Sequence, residues 1–220
     1  MTSGRSEGDC LRQLRRAELS DDTLQEILGD RNARKFHAVR MALAAHPRTP
    51  RTDALALVAT LFWRDLAHLS ANSRVHPAIR RAADQDLLRR LPEMAVAERM
   101  DLARSVGRGT LLQLRFDSDP RVIASVLENR FATEPDVVQA AARTREPAIL
   151  ELIAAHPRWI ARSAVRSAVL RNTSLPRAVA LGLLSRATLD DLRGIRDAPG
   201  SHSLLRACAE RVLADRLAGV

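Results

Sequence analysis

The sequence predicts an all-α protein, a right-handed α-solenoid of about four to five helical repeats with a cap at each end. Three observations predict it. Two separate landmarks recur along the chain with one period of roughly 42 residues. Helix-period apolar stripes fill the stretches between them. No alternating strand pattern occurs, and no Asn-Gly or Asp-Gly hairpin signal.

The first landmark is a set of segments that superpose by residue type. They start at Val39, Val122 and Val165 and run to His46, Asn129 and Asn172. The starts lie about two periods and then one apart. Ile79–Ala83 fits the skipped copy, and Leu205–Ala209 fits a fifth. The second landmark is a short loop signal after an apolar helix, out of phase with the first. It recurs at Gly29–Asn32, Ala71–Ser73, Asp117–Pro120, His156–Pro157 and Asp197–Gly200.

Between the landmarks the chain reads as helix. Thr133-Glu134-Pro135-Asp136 is a helix start, with proline in the first turn and acids at the positive end of the dipole. Glu146-Pro147 opens a further helix that His156-Pro157 stops, with Ile149, Leu152 and Ile153 on one stripe. Asn172 is placed to cap the helix after it. Each repeat is expected to hold two short helices and one longer one. The longer ones are placed near 33–46, 76–90, 119–129, 159–171 and 201–217. Residues 1–9 are expected to be disordered, and 10–220 to form a single α-helical repeat domain. Its residues 10–30 and its final helix cap the array, because an inner repeat cannot bury both faces alone.

Composition agrees with close helix packing. Of 220 residues 46% are hydrophobic and only 3% aromatic, so Ala, Leu and Val must form the core. A β-sandwich would need more β-branched and aromatic residues. The formal charge is +9, which favours polyanions but says nothing of fold. All the basic residues except Lys35 are arginine, a bias that a GC-rich genome produces as readily as selection for phosphate contacts. Cys10 and Cys208 have no metal-type spacing and read as unpaired thiols in a reducing compartment. No apolar leader is evident, and the longest apolar run, Ala54–Trp63, is about half of a membrane span. A cytoplasmic location is the expectation.

These residues carry a family resemblance. Pro147–Ile153 resembles the first helix of HEAT and armadillo repeats, an apolar helix opened by proline. Asp117–Val122 resembles the acidic loop, Pro, x, Val opening of the second HEAT helix. The Val-Arg dipeptide typical of HEAT repeats recurs as Val39-Arg40, Ile79-Arg80, Val165-Arg166 and Leu205-Arg206, and the third repeat departs with Val122-Ile123. The resemblance covers residues 10–217 and implies that the longer helices line a concave face. The Trp and Asn ladder of peptide-binding armadillo proteins is missing, so it does not imply capture of an extended peptide.

Candidate binding residues follow from charge. Arg40, Arg80, Arg166 and Arg206 would form a column if each holds the same place in its repeat. Such a column could engage acidic side chains or phosphates bidentately. The resemblance implies the alternative, an arginine that bonds a loop acid or a carbonyl of the adjoining repeat. Two blocks carry no acid. One is 31–52, with Arg31, Arg34, Lys35, Arg40, Arg48 and Arg51. The other is 152–189, with Arg158, Arg162, Arg166, Arg171, Arg177 and Arg186. Arg158, Arg162 and Arg166 are spaced by four and share one helix face. These blocks read either as a phosphate-binding stripe or as a solvated basic face, and the aromatic interleaving that stacks bases is missing.

No cluster in the sequence carries chemistry. None of the six histidines has the spacing of a helical zinc site, and His46 and His156 are expected to cap helix ends by bonding terminal carbonyls. Gly107-Arg108-Gly109-Thr110 is too short for a phosphate loop and separates two helices. No metal, cofactor or small-molecule substrate is expected. The leading expectation is a non-enzymatic scaffold that binds another protein through a concave or edge surface. The second is sequence-independent binding of a nucleic-acid backbone by the arginine stripes. A third comes from the resemblance. Alkylpurine DNA glycosylases are a HEAT-like branch that sets aromatic walls and a carboxylate in the groove, and Trp63, Asp65 and Trp159 match those residue types. Against it, Trp63 and Asp65 are placed on an outer helix. Phe62 and Trp63 are read as core, with Asp65 capping a turn or paired with an arginine.

Overall fold

The computed structural model describes residues 5–16, 18–197 and 203–218. Among these the regular structure is all helical, with no strand. The chain divides into two compact units, Met1–Thr110 and Leu111–Val220.

The first unit holds α1 (Glu7–Leu14), α2 (Asp21–Gly29), α3 (His37–Ala45), α4 (Arg51–Val58), α5 (Trp63–Ala71), α6 (Pro77–Arg90) and α7 (Val96–Ser105). Single 3-10 turns stand at Ala33–Lys35 and Leu91–Glu93, and the boundary falls within α8 (Arg108–Leu114). In this unit α1 packs on α3, α3 on α4, α4 on α6, and α5 on α6 and α7. The second unit holds α9 (Pro120–Glu128), α10 (Glu134–Arg143), α11 (Pro147–Ala155), α12 (Pro157–Ile160), α13 (Ser163–Arg171), α14 (Arg177–Arg186), α15 (Leu189–Asp197) and α16 (Ser203–Ala218). Here α9 packs on α11, α10 and α11 on α13, α13 on α15, and α14 and α15 on α16. In both units a helix meets helices close to it in the chain. The core is Leu, Val, Ile and Ala, as the composition requires.

One turn joins successive helices four times. It follows α3, α5, α9 and α13, and the residues that end those helices are His46, Asn72, Asn129 and Asn172. In each copy the end residue donates its N–H to the carbonyl three places back. Its own carbonyl accepts from the N–H three places ahead, at Thr49, Val75, Ala132 and Leu175. Those four side chains are buried. The end side chain also accepts from the N–H two places ahead. The acceptors are His46 Nδ1 (3.2 Å), Asn72 Oδ1 (3.0 Å), Asn129 Oδ1 (2.7 Å) and Asn172 Oδ1 (2.8 Å). This is an Asx-type turn, in which a short polar side chain replaces a backbone acceptor. Pro50, His76, Thr133 or Pro176 then starts the next helix.

Two of the expected long helices are broken. Over 33–46 a 3-10 turn gives way to α3 at Phe36, which is extended (ψ 124°). Over 159–171 the break lies at Arg162 (ψ 127°), between α12 and α13. Each break frees carbonyls that a continuous helix would use, and the arginine of the Val-Arg pair in the helix that follows takes them. Arg40 Nη1 donates to the carbonyls of Arg34 (2.9 Å) and Lys35 (3.0 Å). Arg166 Nη1 donates to those of Ile160 (3.0 Å) and Ala161 (3.1 Å). The spacing is the same in both copies. At 76–90 the helix is unbroken and α6 runs from Pro77 to Arg90.

Further expectations need correction. Residues 7–9, expected to be disordered, begin α1, because Ser6 Oγ accepts from the Asp9 N–H at 3.2 Å and caps the helix. Residues 1–4 and the loop expected at Asp197–Gly200, beyond Asp197 itself, lie outside the described residues, as does His202. Gly107 does separate α7 from α8, and a side chain there would collide with the Ser70 carbonyl. Gly109 lies inside α8, where a Cβ would strike the Asp84 carboxylate.

Arg166 also binds Asp191 of α15, with Nε to Oδ2 at 2.7 Å, and both side chains are buried. Burial pushes the Asp191 pKa up. Donation from Thr188 N–H and Oγ1 and from Arg166 outweighs it and holds the carboxyl below its usual value. Arg166→Ala is therefore expected to cost about 3–5 kcal/mol, because it strands a buried carboxylate. Arg40→Ala loses bonds to two carbonyls and a long one to the His37 ring at a half-exposed break, strands no carboxylate, and should cost about 1–2 kcal/mol. Urea unfolding of both variants checks this, and equal losses would rule out the Asp191 contact as the cause.

Candidate functional site

An open concavity of the first unit lies over α3 and has a volume of about 580 Å³. Its floor follows from helical spacing. Ala38, Met41, Ala42 and Ala45 stand at i, i+3, i+4 and i+7, so they share one face of α3. The opposite face, with Val39 and Leu43, is buried in the core. All four floor residues keep part of their surface open to solvent. One wall is α1, through Leu11, Leu14 and Arg15. The other is α5 and the turn after it, through Asp65, Asn72 and Arg74.

A polar cluster closes one end of the groove. His37 opens α3 and bonds Asp65 of α5, Nε2 to Oδ2, at 2.6 Å. Its Nδ1 accepts from Arg40 Nη2 at 3.4 Å. The Phe62 ring lies tilted against the imidazole, with centroids 4.6 Å apart, and is 63% exposed. The arrangement ties α3 to α5 and uses both ring nitrogens, so His37 is held rather than presented to a substrate. His46 closes the other end. Burial, and secondarily the charge of Arg48, pulls its pKa below the usual imidazole value. The neutral ring is what the turn needs, since Nδ1 accepts the Arg48 N–H.

Two guanidinium groups remain available. Arg15 and Arg74 line opposite walls and are exposed. Asp65 is the one carboxylate among the described lining residues, and His37 occupies it.

The residues expected from sequence fall elsewhere. Arg40 and Arg166 bond carbonyls at the helix breaks, as above. Arg80 is half-buried on α6, where its charge acts on Asp84. Arg206 is half-buried on α16 and is not without a partner. Arg158 stacks on the Trp159 ring at 4.3 Å, and Arg162 pairs with Glu134 at 2.8 Å. The two acid-free blocks are not acid-free in space. Arg48 pairs with Asp21, Arg162 with Glu134 and Arg166 with Asp191, acids 27, 28 and 25 residues away. Arg31, Arg34, Arg51, Arg177 and Arg186 are exposed.

The aromatic and histidine expectations change too. Phe62 is exposed rather than core, because it caps α5 at the edge of the groove. Trp63 is half-buried under Arg64 (4.6 Å). Asp65 faces the groove and pairs with a histidine, not an arginine. Trp159 is 1% exposed, and its indole N–H donates to the Leu127 carbonyl at 2.9 Å. His46 and His156 do end their helices, but only their backbone N–H groups reach terminal carbonyls and their rings do not. His46 accepts a backbone N–H, and His156 Nε2 meets Glu128 at 3.0 Å. Among the groove residues only Asp65 and His46 stand out in the sequence, and neither as part of a groove. His37 and Asp65 are too far apart in the chain for a motif, and four small or flexible residues on a helix read as core.

Among the described residues no group of three or more His, Cys, Asp and Glu could hold a metal ion, and no helix is long and apolar enough to cross a membrane. Comparison with family models, curated proteins and solved structures returned no match.

The other three copies of the turn carry asparagine where α3 ends in His46. Because the folded pKa of His46 is lowered, its contribution is present above the unfolded value of about 6.5 and is lost as pH falls through the folded one. His46→Asn is expected to keep the fold at neutral pH and to flatten the fall in stability as pH drops below the unfolded imidazole value of about 6.5. Thermal unfolding across that range measures it, and an unchanged slope would show that His46 is not the group responsible.

Proposed function

We propose that the chain is a HEAT/armadillo-like α-solenoid that acts as a non-enzymatic scaffold and binds another protein through the groove over α3. The observation that carries this reading is the groove itself. Its apolar floor of Ala38, Met41, Ala42 and Ala45 is left partly uncovered by the chain, and two unpaired guanidinium groups stand on its walls. Exposed apolar surface rimmed by charge is the mark of an interaction site. The solenoid reading is supported by the turn that recurs four times and by packing between near neighbours in each unit. The arginines at 40, 80, 166 and 206 then serve the fold more than the partner.

The reading as a DNA glycosylase loses support because Trp159 is enclosed and cannot wall a base. A cytoplasmic location accompanies the scaffold reading, with Cys10 and Cys208 as free thiols. Binding of a nucleic-acid backbone is the second reading, favoured by the formal charge of +9 and by the exposed arginines.

Two measurements separate the readings. Fluorescence anisotropy with a short DNA duplex and a matched RNA is expected to show binding only at low salt, lost at about 0.15 M ionic strength. Cross-linked capture from a lysate should recover a protein with the wild type that Ala42→Trp, which fills the groove, no longer retains. Duplex binding that survives at physiological salt, together with capture unaffected by Ala42→Trp, would replace the scaffold reading with the nucleic-acid one.

A further inference from the structure

We infer that the occupant of the groove over α3 is an amphipathic α-helix of the partner, with acidic residues flanking its apolar stripe. This rests on the protein-binding reading above and specifies its partner. The floor is apolar and shallow, since three of its four side chains are alanine and the fourth is methionine. Small residues at i, i+4 and i+7 let a second helix approach closely, and Met41 adapts its shape to whatever packs on it. The nine residues of α3 span about 13 Å, which matches two to three turns of an incoming helix.

An extended peptide fits less well. It must find partners for its own N–H and C=O groups. The walls are helices, which offer no strand edge for an extended chain to pair with, and Asn72 Oδ1 is taken by the Arg74 N–H. A helix satisfies its backbone internally and needs only an apolar floor. Phosphates fit less well again, because they would lie on Met and Ala.

Charge selects the sign of the partner. Arg15 and Arg74 stand on opposite walls. Among the described residues neither guanidinium has an ion pair or hydrogen bond. Asp65 is occupied by His37, and the His46 ring is kept neutral. The groove therefore presents net positive charge on both sides of an apolar floor. A helix with Leu or Ile at i, i+3 or i+4 and i+7, and Asp or Glu beside them, matches it. The net charge of +9 opposes a second copy of this chain as the occupant.

The test uses a displayed library of random 16-residue peptides, selected on the full chain and counter-selected on Ala42→Trp. Enriched peptides are expected to carry helix-spaced apolar residues and net negative charge, and to gain helicity by circular dichroism on binding. The double variant Arg15→Glu, Arg74→Glu changes only exposed side chains and should fold as the wild type. It should bind the enriched peptides at least about tenfold more weakly in anisotropy titrations. Enrichment of peptides without helical spacing, or with net positive charge, or indifferent to the double variant, would overturn the inference. So would a failure to enrich anything over Ala42→Trp. If a captured partner is still lost on Ala42→Trp while the selected peptides are extended or basic, the scaffold reading stands and the helix inference falls. If neither occurs, both fall.

Discussion

The structure depends on closing the ends of short helices. A helix of nine residues leaves almost as many backbone groups unpaired at its ends as it pairs inside. Here α2, α3, α5, α9, α11, α13 and α15 are each that short. Buried ends without partners would cost more than the apolar stripes return. Three devices meet the need. The turn after α3, α5, α9 and α13 pairs its own backbone and adds one side-chain acceptor. The Arg40 and Arg166 guanidinium groups bond the carbonyls freed at the helix breaks. At the N-termini Thr133 and Thr188 form capping boxes with Asp136 and Asp191.

These devices are also the ties between helices. Asp136 caps α10 and takes Arg115 at 2.6 Å, and Asp191 caps α15 and takes Arg166. One carboxylate in each pair thus fixes a helix start and holds an arginine from two helices back, just after α8 or on α13. Asn172 ends α13, and its amide nitrogen reaches the carbonyls of Ala141 (2.7 Å) and Thr144 (2.9 Å) at the end of α10. Because polar groups do this work, the apolar faces stay small, which suits a core of Ala, Leu and Val. The groove over α3 departs from this, an apolar face left partly open to solvent.

The arginine content takes a different meaning in this light. A guanidinium is planar, always charged and able to bond several acceptors at once. That suits it to gather stray carbonyls and a carboxylate at a helix break, as Arg166 does. Lysine, with a single point of charge, would not span the same acceptors. A basic sequence therefore need not present a basic binding face, and the unpaired arginines, not the total, carry the electrostatics of the surface.

The sequence by itself determined the helical class, several helix starts, among them those at Pro77, Pro120, Glu134 and Pro147, and the residues at the turns. These are set by neighbours a few places apart, where proline, capping acids and apolar spacing act directly. It also held both meanings of the Val-Arg arginine without choosing between them. Tertiary structure alone decided that Phe36 and Arg162 break their helices and that Arg48, Arg162 and Arg166 find acids some 25 to 28 residues away. It decided too that His37 and Asp65 meet, and that the Ala38–Ala45 face stays open while Trp159 is enclosed. The reason is physical. Which face of an apolar helix is covered depends on where the next helices come to rest, and that is a property of packing rather than of local spacing.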